Sequence, residues 1–236
     1  MLRSRQTVRH ASQSRGSIGT MNHFAHLVLA QPTVESTVGN LLGDFARGLD
    51  ADSLSPPVRA GLQNHRAVDR FTDNHPLVME MKRSFSRQRR RFAGIALDIY
   101  FDHLLIEYWD RFEQRPLERL ISGFYRRMAA GQAMMPGQDM RRVTRRMIDH
   151  DWFGSYRELD AIAESLDRVA ARIRFANHFA NAIEDLQRND LLIRQGFLEF
   201  YPKLQQHVAA QGIEAYTLEP GDLATRASNR RSYPGS

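Results

Sequence analysis

His65 and Asp69 stand four residues apart in the segment "HRAVDRFTDNHP" (65–76). On a helix that spacing puts an imidazole and a carboxylate on one face, close enough to reach one ion or each other. Asp73 extends the row by one more turn. Asp98 and Asp102 repeat the spacing in "GIALDIYFDHLLIEYWDRF" (94–112), and His103 follows directly. This second segment is the most apolar of the chain, and burying ionised aspartates in it is costly unless a cation or hydrogen bonds compensate. Asp44 is a further acid in an apolar stretch, "GNLLGDFARG" (39–48), and His23 and His26 lie in "HFAHLVLA" (23–30). Together they offer imidazole and carboxylate ligands from several segments. Such a set suits Mn²⁺, Mg²⁺, Fe²⁺ or Zn²⁺, and its oxygen content tilts the expectation towards Mn²⁺ or Mg²⁺.

Each of these residues has a plainer reading. A His/Asp pair at i,i+4 is often a surface ion pair. Asp98 and Asp102 would be solvated on an amphipathic helix, Asp44 would cap a helix, and His26 would be a hydrogen-bonded core histidine. His150-Asp151 is an adjacent His-Asp pair, but it precedes Trp152-Phe153-Gly154 and reads as a helix end. The chain has no cysteine, which excludes disulfides and thiolate metal sites. It also lacks GxSxG, a P-loop, GxGxxG and HExxH.

The elements that must position these groups read as helices, because 3.6-residue periodicity dominates and sustained alternation is missing. "HFAHLVLA" is a short apolar helix stopped by Gln31-Pro32. Residues 33–49 open on a Thr33 cap with Glu35 in the first turn, and Gly39, Gly43 and Gly48 make a break within this stretch a real alternative. Ser55 and two prolines start a helix over 55–74, ended by Asn74-His75-Pro76. A basic amphipathic helix is expected over 77–92, the apolar helix over 94–112, and another over 116–131. A loop and helix follow over 134–156, then a helix over 158–173. Residues 177–212 read as one long helix or two, with Pro202 as a kink point. The expectation is a single-domain, all-α helical bundle over residues 21–212. Residues 1–20 and 213–236 are expected to be a disordered extension and tail, and Met21 offers an alternative start.

Of the formal charge of +6, Arg3, Arg5, Arg9 and Arg15 supply +4, so a basic isoelectric point is weak support for nucleic-acid binding. The basic runs "MKRSFSRQRRRF" (81–92) and "RRVTRR" (141–146) are arginine-rich, which suits carboxylate or phosphate partners, although they also read as solvated faces. No stretch approaches the roughly 18 apolar residues of a membrane span. The cysteine-free composition fits a reducing cytoplasm.

Four motifs in order, "MNHFAHLVLA", "GNLLGDFARG", "HRAVDRFTDNHP" and "LDIYFDHLL", resemble the acyl carrier protein phosphodiesterase family. The resemblance covers roughly residues 21–212. It implies an all-helical, divergent HD-phosphohydrolase-like arrangement and a Mn²⁺-preferring enzyme. That enzyme would hydrolyse the phosphodiester of holo-acyl carrier protein, yielding apo-carrier and 4′-phosphopantetheine, as part of fatty acid metabolism in the cytoplasm. It implies an essential role for Asp44, places His65, Asp69, Asp98, Asp102 and His103 in metal-site regions, and matches His26 to the family's opening histidine. The adjacent His-Asp pair of the usual HD pattern is absent from these motifs: His65 and Asp69 are four apart, and Asp102-His103 is reversed. On this reading Asp44, His65, Asp69, Asp98, Asp102 and His103 hold metal, and Asp44, His26 and His103 take part in catalysis. Arg66 or Arg70 steadies the phosphate. An acidic carrier would dock on Lys82, Arg83, Arg87, Arg89, Arg90 and Arg91, without membrane or nucleic-acid partners. The alternatives are an HD-like phosphohydrolase acting on a nucleotide or other small phosphodiester, and a non-enzymatic nucleic-acid-binding module.

Overall fold

A computed structural model describes residues 23–173, 175 and 177–215. The extension at 1–20 and the tail beyond 215 lie outside the described residues. Within them every regular element is helical. The helices are α1 (His23–Leu29), α2 (Val34–Leu42), α3 (Pro56–Asn74), α4 (Pro76–Ser84), α5 (Ala93–Glu107) and α6 (Trp109–Phe112). They continue as α7 (Leu117–Ala130), α8 (Gln138–Asp149), α9 (Trp152–Ser155), α10 (Leu159–Arg172), α11 (Ile183–Arg188) and α12 (Asp190–Gln211). The all-α expectation holds.

α5 is apolar on nearly all sides, as suits a helix enclosed by others. It packs against α1, α4, α10, α11 and α12. Leu97, Ile99, Leu104 and Leu105 are fully buried. Its outer end is tied to α12 by Arg194, which pairs with Glu107 and Asp190.

α2 and α3 cross at two glycines. A Cβ on Gly39 would lie 2.2 Å from the Val58 carbonyl oxygen and 2.8 Å from Gly61 Cα, so only glycine permits this separation. The close crossing lays the end of α2 alongside the middle of α3, which carries His65 and Asp69.

Several boundaries differ from the sequence expectation for identifiable reasons. Thr33 caps α2 through Oγ1, accepting from Ser36 N at 3.1 Å, but the helix stops at Leu42 and tightens into a 3₁₀ turn at Gly43–Phe45. Ser55 sits at the N-cap of α3 without a side-chain capping bond. The basic stretch expected as one helix over 77–92 ends at Ser84. Ser86 gives its backbone N–H and hydroxyl to the buried carboxylate of Asp185, at 3.1 and 2.7 Å, instead of continuing the helix. The apolar helix breaks at Tyr108. The last stretch becomes α11 and α12, and Pro202 lies inside α12. Asp151 adopts a left-handed conformation and caps α9 through Gly154 N, so His150-Asp151 is a helix junction. Glu214, placed by sequence in the tail, is buried; it accepts from Ser36 Oγ at 2.5 Å and Asn40 Nδ2 at 3.2 Å.

Candidate metal centre

α1 owes its position to Asp102. One carboxylate oxygen of Asp102 accepts from Phe24 N at 3.1 Å and the other from Ala25 N at 2.8 Å. These are first-turn N–H groups that have no partner within a helix. The buried carboxylate of α5 therefore fixes the start of α1, and α1 in turn presents His23 and His26 on one side, three residues apart.

His26 Nε2 lies 3.2 Å from Asp69 Oδ1, and His65 Nε2 lies 3.1 Å from Asp69 Oδ2. The two imidazoles stack with centroids 3.9 Å apart and planes 15° apart. Both histidines are buried, while the Asp69 side chain is 44% exposed, so the cluster opens to solvent on the Asp69 side. His65 Nδ1 is 2.7 Å from the Asn40 carbonyl oxygen. A carbonyl only accepts, so Nδ1 carries the proton. The remaining nitrogen, Nε2, then faces a carboxylate oxygen either as an imidazolium or as a lone pair with a cation between them. This is the second-shell pattern of metal-ligating histidines, in which the outer N–H is anchored on a backbone carbonyl.

Gly43 makes room for this ring. A Cβ there would fall 2.0 Å from His65 Cδ2 and 2.1 Å from Nε2. Asn40 is itself held: its amide donates to the Ser36 carbonyl at 3.0 Å and accepts from Asn64 Nδ2 at 3.0 Å.

A second pair adjoins the first. Asp44 Oδ2 lies 3.0 Å from His23 Nδ1, and both side chains are buried. Burial opposes ionisation of Asp44, but the charge and hydrogen bond of His23, with the fields of His65 and His26, outweigh it and lower its pKa. Burial likewise opposes the Asp69 charge, and its hydrogen bonds from His26 and His65 hold the carboxyl far below the ordinary carboxylate range. His26 is lowered by burial and by the neighbouring His65. His65 is raised, because its bond to Asp69 overcomes the effect of burial. The two rings are thus biased in opposite directions, His26 towards its neutral form and His65 towards its charged form.

The sequence candidates separate into groups. His26, His65 and Asp69 place potential ligand atoms within 4.8 Å of one another, which no other set of three His or acidic residues does among the described residues. The donor chemistry fits a divalent ion: two imidazole nitrogens, one carboxylate, and no thiolate. The Nδ1 atom of His26 is buried without a hydrogen-bond partner among the described residues. Asp98 lies close enough for Asp69 to act on it. Burial first, and then the Asp69 charge, push its pKa well up. Asp102 spends both oxygens on α1, and burial raises its pKa as well. His103 points elsewhere, with Nδ1 2.8 Å from the Tyr156 carbonyl oxygen and Nε2 3.4 Å from Glu107. Arg66 and Arg70 are exposed on α3.

Within the basic segment, Arg89 pairs with Glu184 and Arg90 donates to the Phe85 carbonyl. Arg91 covers the rings of Phe92 and Phe175. Arg83 and Arg87 are exposed and form no ion pair among the described residues. Lys82 pairs with Asp73 at 2.7 Å, one turn beyond Asp69 on α3, and acts on Asp98, so this end of the segment lies near the cluster.

The sequence reading missed the His23–Asp44 pairing, the Asn40 anchor and the Gly43 recess. The only signal for them was the motif "GNLLGD" itself: Asn40 stands one turn before Asp44, with a glycine between.

A family model described as acyl carrier protein phosphodiesterase matches residues 21–204, a span that includes the whole cluster. An acyl carrier protein phosphodiesterase from Serratia proteamaculans is 34% identical over 191 residues, 79% of this chain and 96% of its own length. Its namesake in Shigella boydii serotype 18 is 32% identical over 196 residues, 82% of this chain and 100% of its own. A third, from Pectobacterium atrosepticum, is 31% identical over 194 residues, with the same two coverages. No solved structure matches the chain. With the match spanning both the helical frame and the His/Asp cluster, the chain belongs to the acyl carrier protein phosphodiesterase family, a family of phosphoric diester hydrolases.

Proposed function

We propose that the chain hydrolyses the phosphodiester of holo-acyl carrier protein in a divalent-cation-dependent reaction, with Mn²⁺ the preferred ion. The observation that carries this reading is the convergence of His26, His65 and Asp69 on one point, in a chain of this family. These three residues would hold the ion, with Asp44 and Asp98 beside them. When bound, a divalent cation supplies Lewis-acid polarisation of a phosphoryl oxygen and eases ionisation of water. In the net reaction water adds to phosphorus, the bond from phosphorus to the carrier serine oxygen breaks, and that oxygen takes a proton. Apo-carrier and 4′-phosphopantetheine leave.

The chain's own groups divide the remaining work. Asp44, ionised and held by His23, would accept the proton of the attacking water. His65 is kept in one tautomer by the Asn40 carbonyl. The buried His26 and His65 rings close the site on the inside, and Asp69 faces the solvent side from which a carrier arrives. Arg83 and Arg87, which form no ion pairs among the described residues, are the first contacts for an acidic carrier, with Arg90 and Arg91 beside them. The frame is read as a divergent HD-phosphohydrolase arrangement, with His65 and Asp69 one turn apart instead of adjacent. A substrate from fatty acid synthesis places the enzyme in the cytoplasm.

The test is intact-protein mass spectrometry of holo-carrier incubated with the chain, with and without Mn²⁺. Mn²⁺-dependent loss of the whole prosthetic group is expected. An unchanged carrier mass alongside turnover of a nucleotide would overturn the substrate assignment.

A further inference from the structure

His23 and Asp44 line a cleft of about 530 Å³ formed with Phe45 and residues of α8, α9 and α10. We propose that this cleft receives the pantetheine arm of the substrate; the inference rests on the function proposed above. Its size falls within the roughly 300–1,000 Å³ usual for small-molecule sites.

Three observations argue for that occupant. The first is continuity. His23 and Asp44 line the cleft, and Asp44 also lies in the field of His26 and His65. A group bound in the cleft is therefore joined to the His26–His65–Asp69 cluster through Asp44. Asp69, with its side chain 44% exposed, is the solvent-facing member of the cluster, and Lys82 pairs with Asp73 one turn further along α3. A phosphodiester at His26, His65 and Asp69 thus has the carrier on the Asp69 side and the arm on the Asp44 side.

The second is the wall. Phe45, Val143, Trp152 and Val169 give the cleft a mostly apolar lining. A pantetheine arm offers a gem-dimethyl group and methylene runs to such a surface. The third is the rim. Arg146, Arg168 and Arg172 line the cleft with the carboxylate of Glu164. Arg168 is engaged by Glu164 at 3.3 Å and Ser165 Oγ at 2.7 Å, whereas Arg146 and Arg172 form no ion pair among the described residues. Guanidinium groups only donate hydrogen bonds. The arm has two amide carbonyls and one free hydroxyl oxygen to accept them, and no anionic group beyond its phosphate, so the cationic rim serves as a row of donors along a neutral chain.

The experiment uses the full chain with two variants, R146A at the exposed rim and V143W in the wall. Free pantetheine binding is measured by titration calorimetry. Turnover is measured on holo-carrier and on bis(4-nitrophenyl) phosphate, a small diester without the arm. Loss of one charge-assisted hydrogen bond in R146A should raise KM for holo-carrier by roughly tenfold. In both variants the loss on holo-carrier should exceed the loss on the small diester, and V143W should abolish pantetheine binding. Equal losses on the two substrates would overturn the proposal, as would pantetheine binding undiminished in both variants. If the wild-type chain hydrolyses the small diester but leaves holo-carrier intact, the proposed function fails. The cleft assignment falls with it, whereas a wild-type chain that hydrolyses holo-carrier but shows equal losses on both substrates in the variants keeps the function and loses the cleft assignment.

Discussion

Replacing Gly43 with alanine tests the cluster without substituting any candidate ligand. The backbone raises no objection, since Gly43 has φ −49° and ψ −41°, and alanine is favoured over glycine in such a conformation by about 1 kcal/mol. Local reasoning therefore expects a slight stabilisation. The tertiary structure predicts otherwise. The new Cβ would sit 2.0–2.4 Å from Cδ2, Nε2 and Cγ of His65, where carbon contacts need about 3.5 Å. The ring must retreat by about 1.5 Å, yet His26 is stacked on it at 3.9 Å and the Asn40 carbonyl holds Nδ1 at 2.7 Å. Overpacking of this kind costs about 1–3 kcal/mol, which offsets the helical gain and leaves a small net loss of stability. The larger effect falls on ligand geometry. Disturbing the shell of a metal ligand lowers affinity by about 10–100-fold, or up to about 2.7 kcal/mol.

Mn²⁺ binding by calorimetry, with a thermal melt as control, separates the two effects: G43A should bind at least tenfold more weakly and melt within a few degrees of wild type. The G43A/H65A double variant should bind no worse than H65A alone, because both act through one ring. Wild-type Mn²⁺ affinity in G43A would refute the reasoning, and additive losses in the double variant would refute the route through His65.

D44A should reduce kcat on holo-carrier by about 10²–10⁴-fold with the circular dichroism spectrum retained; near-normal turnover would remove Asp44 from the chemistry. D102A strips the buried N–H groups of Phe24 and Ala25 of their acceptors, at about 1–3 kcal/mol each, so its melting temperature should fall by roughly 10 °C, and a change under 2 °C would show that α1 is held by something else. Burial raises the pKa of Glu214 against its hydrogen bonds from Ser36, Gln31 and Asn40, so its neutral form is favoured in the folded state. The stability this gives is present below the unfolded value of about 4.5 and declines as pH rises through the folded pKa; denaturant melts at pH 4 and 7 should therefore shift in favour of E214Q at the higher pH, and parallel behaviour would count against the assignment. Reversing the charge of Arg83 and Arg87 should raise KM for holo-carrier more than it lowers kcat and flatten the salt dependence, whereas unchanged KM would leave these arginines as a solvated face.

The helical class was legible because burial patterns with helical period extend over most segments, and strand-like alternation is missing. Breaks were legible where a local residue causes them, as with the glycines after Leu42. They were not legible where a distant group causes them. Nothing within 77–92 announces that Ser86 gives up its helical hydrogen bond to Asp185, ninety-nine residues away.

The same division runs through the site. His65 and Asp69 share a turn of α3, so their side chains meet whatever the rest of the chain does. Asp98 and Asp102 have the same spacing, yet Asp102 is spent on holding α1 and His103 turns to Tyr156. Spacing along a helix determines which side chains share a face, because 3.6 residues make a turn. It carries no information about what that face meets. By itself, the sequence determined an all-helical chain with imidazole and carboxylate groups in adjacent turns. Only the tertiary structure decided that His26 of α1 lies over His65 of α3, because that contact depends on the glycine crossing of α2 and α3 and on a carboxylate of α5 at the start of α1.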